Sequence, residues 1–410
     1  MKTWIKYAAG IIIGILLGIY LPFDTEKMQG VLQYLSSLVI NMGMFAVYPL
    51  VFFSFGYSIF KMRQEKILLR VILKSFLAIA ASGIILVIFG TLTVLFFSPE
   101  RIPIIIQSRT VESFPNYRDI LGNLFPQNIF TIFSSNRNFL IPLTFLSFVI
   151  GLNFSFDKVM TRPAYQLFNA MSRIFYHIGI FITEVIGLGF IILSATMVLE
   201  IRNTPEIELF KQLLAILSLN SILVIFGILP LIFYFISGKQ NPYKILYAMT
   251  APLLSAFITG NSYLTLLSLT RSGKENMGIP RKIGASVFPL FTLFGKAGTA
   301  MVSATAFVFI LNSYSSLGLT FGTVIWIMLF SLGTSFFTGT VPGVGVIVAL
   351  AYICQHYGKG IEEGYLLIFP VSTLLISFSV LLDTAVAGYS AYLFSFRDKG
   401  HKEIEIKDYI

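Results

Sequence analysis

A single cysteine, Cys354, in 410 residues excludes a disulfide framework and argues against a thiolate metal site. Histidine is nearly as scarce. His177, His356 and His401 are the three in the chain, and no metal-ligand spacing or Ser/His/Asp arrangement accompanies them, so nothing points to an enzyme or a cofactor. Charge is sparse as well: 12% of residues are charged against 56% hydrophobic, and the mean hydropathy is +0.83. A soluble domain cannot cover itself with solvated side chains on that composition. The chain reads as an all-α membrane protein.

Apolar runs over 7–21, 31–60, 71–97, 139–156, 174–199, 209–236, 284–312 and 365–395 can each supply the roughly 20 residues that a helix needs to cross hydrocarbon. The first run lacks a small-residue cleavage site and continues into "LPFDTEK", so it is read as a retained span. The net charge of +10 would point to nucleic acid in a soluble protein. Here the positive-inside rule explains it, and no nucleic-acid partner is expected. With the N-terminus inside, the basic groups at 61–70, 158–162, 239–244, 271–282 and 397–402 all fall on one side. Both termini are then cytoplasmic, and the number of spans is even.

Two further apolar stretches break in their centres. Residues 246–270 break at "TGNSYLT" and residues 325–354 at "FTGTVPGVG". Unwound backbone at membrane depth is tolerated only inside protein or beside a watery cavity. Read as re-entrant hairpins, they leave eight true spans. Each is followed by a span with its own expected break, "FGKAGTA" after the first and "LLDTAVAGYS" after the second, and the flanking charges give the two units opposite topology. An inverted repeat of this kind points to a secondary transporter with its site at the midplane.

Within the stretch "FTLFGKAGTAMV", Lys296 stands inside a span, where a charge costs at least about 2.5–3.5 kcal/mol. It shares the last two spans with one other charge, Asp383. Glu184 and His177 in the fifth span read as packing or inter-helix hydrogen-bond residues, and Tyr263 at the first hairpin tip either closes a pocket or fills it. The loop at 98–128 reads as external, partly helical and of no assignable role.

"TGTVPGVGVIVAL" (338–350), "SAFITGNSYLTLLSLTRSGKENMGIPRKI" (255–283), "FPLFTLFGKAGTAM" (288–301) and "NRNFLIPLTFLSFVIGLNFS" (136–155) resemble, in order along nearly the whole chain, segments of the dicarboxylate/amino acid:cation symporters that include the glutamate transporters. The resemblance implies a homotrimer in a plasma membrane of the bacterial inner-membrane type, acting on a small-molecule substrate by an elevator movement. It divides the chain into scaffold helices at 1–69, a transport-domain helix at 70–98, an extracellular loop and scaffold helices at 99–205, the rest of the transport domain at 206–397, and a tail at 398–410.

The resemblance also assigns site residues. Where the family carries Asn-Met-Asp-Gly-Thr, this chain reads Gly295, Lys296, Ala297, Gly298, Thr299, so a lysine replaces the methionine and two sodium ligands are missing. The third-span Thr-Ser pair becomes Ala78 and Ile79. Hard cations need oxygen ligands, and that sodium site looks dismantled, with a residual one at Asp383. The family's substrate-binding Asp, Arg, Thr and Asn become Ser372, Leu375, Ile376 and Ser379. The first tip reads Gly260, Asn261, Ser262, Tyr263, Leu264, Thr265; the second keeps Thr338, Gly339, Val341, Pro342, Gly343 and Gly345, whose backbone N–H groups suit an anionic group. The implied substrate site is Asn261, Ser262, Tyr263, Thr265, Thr299, Thr338, Gly339, Val341, Pro342, Gly343, Ser372, Leu375, Ile376 and Ser379, with Gly295, Lys296 and Asp383 at the coupling position.

Three readings of Lys296 stay open: a tethered cation that replaces sodium and pairs with Asp383, a proton carrier, or a side chain that snorkels away. Sodium or proton coupling is therefore undecided. The leading function is a symporter for a small neutral or monocarboxylate solute. The alternatives are an ordinary sodium-coupled dicarboxylate or amino-acid symporter and a non-transporting receptor or regulator. No ring of charges marks a channel.

Overall fold

The structure, a computed structural model, describes residues 2–20, 26–97, 101–103, 128–134, 140–157, 159–204, 207–314, 319–341, 343–396, 398 and 400–410. Most of the loop at 98–128, read above as external, lies outside them, as does Pro342. Among the described residues the secondary structure is entirely helical. Apolar sequence in lipid has little other choice, because each backbone N–H and C=O must find its partner within the segment.

Helix α1 is Thr3–Tyr20, α2 Glu26–Gln64, α3 Leu68–Phe97, α4 Leu140–Asn153 and α5 Arg162–Arg202. Helix α6 runs over Ile207–Ser237. The first hairpin is α7 (Thr250–Thr259) and α8 (Ser262–Glu275), and the helix that follows is split into α9 (Arg281–Phe294) and α10 (Ala297–Tyr314). The second hairpin is α11 (Phe321–Ser335) and α12 (Gly345–Tyr357), followed by a 3-10 turn at Gly364–Val371 and by α13 (Ser372–Ser395). Seven segments of the described chain are long and apolar enough to cross a membrane; α4 is shorter, at 14 residues.

Helix α5 packs against α1 and α2, and α2 against α4, while α3, α10 and α13 form the centre of a second group that includes both hairpins. Small residues set the first contact. A Cβ on Gly10 would lie 2.4 Å from the Gly187 carbonyl oxygen and one on Gly14 2.3 Å from that of Ile191, so α1 approaches α5 backbone to backbone. Helix α6 carries a π segment at Val224–Ile228 just before Pro230. A proline cannot donate to the carbonyl four residues back. The Tyr243 hydroxyl donates to that carbonyl, on Phe226, at 3.1 Å instead.

The break after the first hairpin falls at Gly295 and Lys296, between α9 and α10. The break expected at "LLDTAVAGYS" is not there. Helix α13 runs unbroken through it, and the irregular turn precedes it at Gly364–Val371, which contains Pro370. The reason is local: residues 381–390 hold one glycine and no proline, and Leu and Ala favour helix, whereas Pro370 lacks the N–H that a continuous helix needs. Every residue from 297 to 311 is buried, so α10 is the axis of its group and its N-terminus opens inside the protein.

Candidate functional site

The N-terminus of α10 brings together Lys296 and Asp383, the charges of the last two spans. Helix starts leave backbone N–H groups without intrahelical acceptors and carry partial positive charge. Asp383 of α13 supplies the acceptor: its Oδ1 takes the N–H of Gly298 at 2.7 Å and of Thr299 at 3.3 Å, and its Oδ2 takes the Thr299 hydroxyl at 3.0 Å. Lys296, one residue before the helix, lies with Nζ 3.8 Å from Asp383 Oδ2 and donates to Ser262 Oγ at 2.7 Å. Both charged side chains are only 6% exposed.

The first hairpin tip is built to hold this arrangement. Gly260 takes the left-handed φ of +56° that ends α7, and Asn261 starts α8 by accepting the N–H of Tyr263 at 2.9 Å and of Leu264 at 3.2 Å on its side chain. Thr265 donates to the Asn261 carbonyl at 2.9 Å. Ser262, the first residue of α8, thereby points at Lys296. Tyr263, fully buried, donates its hydroxyl to the Gly339 carbonyl of the second tip at 2.7 Å. A Cβ on Gly339 would meet the Leu293 carbonyl oxygen at 1.7 Å, so the second tip rests on the end of α9.

Other expected residues sit further out. Thr338 is buried and donates to Ser335 within its own turn, and Val341 and Gly343 are half-exposed around the tip, with Gly343 at a φ of +81°. Leu375 is fully buried, Ile376 packs on Gly260, and the Ser379 hydroxyl is used within α13 by the Ile376 carbonyl. Ser372 is half-exposed at the start of α13 and makes no hydrogen bond to the Lys296 cluster. On α3, Ile79 is buried and Ala78 lines an apolar cleft, so neither offers an oxygen.

The two hairpin tips thus meet beside a buried lysine–aspartate pair at the break between α9 and α10. Residues 4–395 match the profile of the sodium:dicarboxylate symporter family. The chain belongs to that family. Among the relatives of this family member is "Excitatory amino acid transporter 3" of Homo sapiens, 29% identical over 225 residues, covering 53% of this chain and 41% of the relative. "Neutral amino acid transporter B(0)" of Oryctolagus cuniculus is 25% identical over 288 residues, covering 63% and 52%. "Excitatory amino acid transporter" of Caenorhabditis elegans is 24% identical over 260 residues, covering 62% and 51%. The matched part of this symporter-family chain thus spans about half or less of the length of each of these relatives.

Sequence reasoning missed two features of the family member. One is Ser262 as the nearest partner of Lys296; a separation of 34 residues leaves no local signal for it. The other is Arg271 at the end of α8. It pairs with Glu184 of α5 at 2.6 Å and with Glu275 at 3.2 Å, and donates to the Thr183 hydroxyl at 3.0 Å. Lys6 of α1 joins Glu184 as well. The signal was Glu184 itself, an acid inside an apolar span that needs a cationic partner.

Proposed function

We propose that this protein is a secondary active transporter that moves a small organic solute by an elevator movement, and that the Lys296 ammonium does the work of a bound sodium ion. The observation that carries the reading is the position of Lys296 Nζ, 3.8 Å from Asp383 Oδ2 and held by Ser262. A cation on a side chain supplies charge to the carboxylate without needing the ring of oxygens that sodium demands. Gly295, Ala297, Ala78 and Ile79 offer no side-chain oxygens where the resemblance expects a sodium site, which supports the same view.

The solute site in this proposal lies between the tips, among Asn261, Ser262, Tyr263, Thr265, Thr299, Thr338, Gly339, Val341, Pro342 and Gly343 and the α13 residues Ser372, Leu375, Ile376 and Ser379. It contains neither an arginine nor a carboxylate, which suits a neutral or monocarboxylate solute. The grouping of α1, α2, α4 and α5 apart from the hairpins and α10 supports a scaffold at 1–69 and 99–205 and a transport domain at 70–98 and 206–397. Seven long segments and the shorter α4 support eight spans with the two hairpins re-entrant. The homotrimer, the inner-membrane location and the inside termini are part of the same proposal.

Uptake by proteoliposomes is the test. Solute counterflow that proceeds in choline as well as in sodium supports the tethered cation, and saturable glutamate or aspartate uptake that requires sodium overturns it. Ordinary sodium symport is the second reading, favoured by the sodium:dicarboxylate symporter family to which the chain belongs.

A further inference from the structure

A cleft of about 290 Å³ lies between α2 and α5 on one side and the C-terminal end of α8 with α9 on the other. Its floor is apolar, with Leu50, Leu266, Phe288 and Pro289, and its rim is basic, with Arg173 of α5, Lys274 of α8 and Arg281 of α9. None of its lining residues is an aspartate or glutamate. Glu275, next to Lys274, is taken up by Arg271 at 3.2 Å and by the Tyr176 hydroxyl at 3.0 Å. Among the described residues no carboxylate lies within 4.0 Å of Arg173, Lys274 or Arg281.

Arg173 and Arg281 act on Lys274 as like charges, and Arg173 on Arg281, while Glu275 acts on Lys274 as an opposite charge. Neutral groups hold two of the three cations in place. Lys274 Nζ sits 4.0 Å over the Tyr176 ring, and the Arg281 guanidinium lies 4.2 Å from the Tyr57 ring while donating to Asn169 at 3.0 and 3.2 Å and to Ser172. Ring faces and amides orient a cation but leave its charge uncompensated. Like charges gathered around a cleft whose lining holds no carboxylate are stabilised by an anion.

We propose that this cleft binds a phosphate-bearing anion, whose oxygens are taken by Arg173, Lys274 and Arg281 and whose apolar portion rests on Leu50, Leu266 and Phe288. Guanidinium forks and an ammonium match a phosphate, which offers acceptor oxygens on several sides. A halide would leave most of such a volume empty, since one water occupies about 30 Å³. Arg173 belongs to one packing group of helices and Lys274 and Arg281 to the other, so a bound anion joins the two. A ligand that favours this relative position stabilises it against any other.

Two sources share this chemistry, a soluble phosphate ester and a phospholipid headgroup. The test uses the full chain, delipidated in a neutral detergent at fixed ionic strength. Its thermal unfolding is followed against inorganic phosphate, short-chain phosphatidylglycerol and short-chain phosphatidylcholine. Arg173→Gln, Lys274→Gln and the double variant are measured alongside; both side chains are exposed, and Arg281, which anchors Asn169, is left intact. The expected result is saturable stabilisation by a phosphate-bearing probe, with the apparent dissociation constant raised about tenfold by each single substitution. Saturation by inorganic phosphate points to a soluble ester, and saturation by phosphatidylglycerol alone to a lipid headgroup. No saturable effect of either probe, equal stabilisation by phosphatidylcholine, or an unchanged response in the double variant overturns the proposal.

Discussion

Tyr263 and Gly339 join the tips of the two hairpins: the buried tyrosine hydroxyl donates to the glycine carbonyl at 2.7 Å. The two residues belong to units that gate a site from opposite sides in the proposed mechanism, so this bond reports the closed state. In Tyr263→Phe the ring still fills its space but the Gly339 carbonyl loses its donor, at a cost of about 1–3 kcal/mol. Hydrogen exchange at residues 336–344 is expected to rise in the variant while that of α10 stays unchanged. Equal exchange in both proteins would remove the tip contact from the account.

Gly339→Ala is expected to act more strongly. A Cβ there would lie 1.7 Å from the Leu293 carbonyl oxygen, which is backbone and cannot swing aside. The second tip must then lift from α9, and transport should be lost with helical content retained by circular dichroism. At Gly343 no atom lies within 4 Å of the same added carbon, and only its φ of +81° opposes a side chain. Gly343→Ala should cost about 1 kcal/mol, seen as a small drop in unfolding temperature with helical content retained. Full transport in Gly339→Ala would contradict the packing described.

Arg271 and Glu184 connect the two groups of helices, and their coupling is measurable. The carboxylate is about one third exposed, so the pair is worth less than a fully buried one, about 1–2 kcal/mol after screening. A double-mutant cycle with Arg271→Met and Glu184→Gln should give non-additive losses of that size. Additive losses would mean that the contact contributes nothing to holding α8 on α5.

The tail gives a pH dependence of known sign. The His401 ring packs edge-on against Tyr392 at 5.2 Å, and its Nδ1 is buried without a hydrogen-bond partner among the described residues. Burial holds it below the ordinary value of 6.5, with Glu403 and Asp398 opposing the shift. A histidine with a lowered value stabilises the fold above the unfolded value, and that contribution is lost as the pH falls through 6.5 toward the folded value. Hydrogen exchange of residues 400–410 should therefore increase on acidification in the natural protein and change less in His401→Phe. An identical acid response in the variant would assign the effect to other groups.

Much of the fold was legible because lipid simplifies the problem: an apolar run of sufficient length must be a helix, and Gly, Asn and Pro mark where one stops. "TGNSYLT" and "FTGTVPGVG" carry those residues and did mark the tips. "LLDTAVAGYS" misled because small residues and an acid look like a break, yet they pack inside a continuous helix, and the acid serves another helix as its cap. Lys296 was conspicuous by its cost in hydrocarbon. Its contact with Ser262, the bond from Tyr263 to Gly339 and the link from Arg271 to Glu184 are all long-range, and nothing in local spacing encodes them.

The central claim is that Lys296 replaces a bound sodium ion. Thermal unfolding of the purified protein in sodium, potassium and choline chloride at matched ionic strength, with Lys296→Met alongside, tests it most directly. A bound ion must raise the unfolding temperature by mass action. The account predicts no sodium-specific rise in the unmodified protein and a clear loss of stability in Lys296→Met, at or below the about 3–5 kcal/mol typical of a broken buried pair, because Gly298 and Thr299 still support Asp383. A sodium-specific rise in the unmodified protein would contradict it and make ordinary sodium coupling the mechanism.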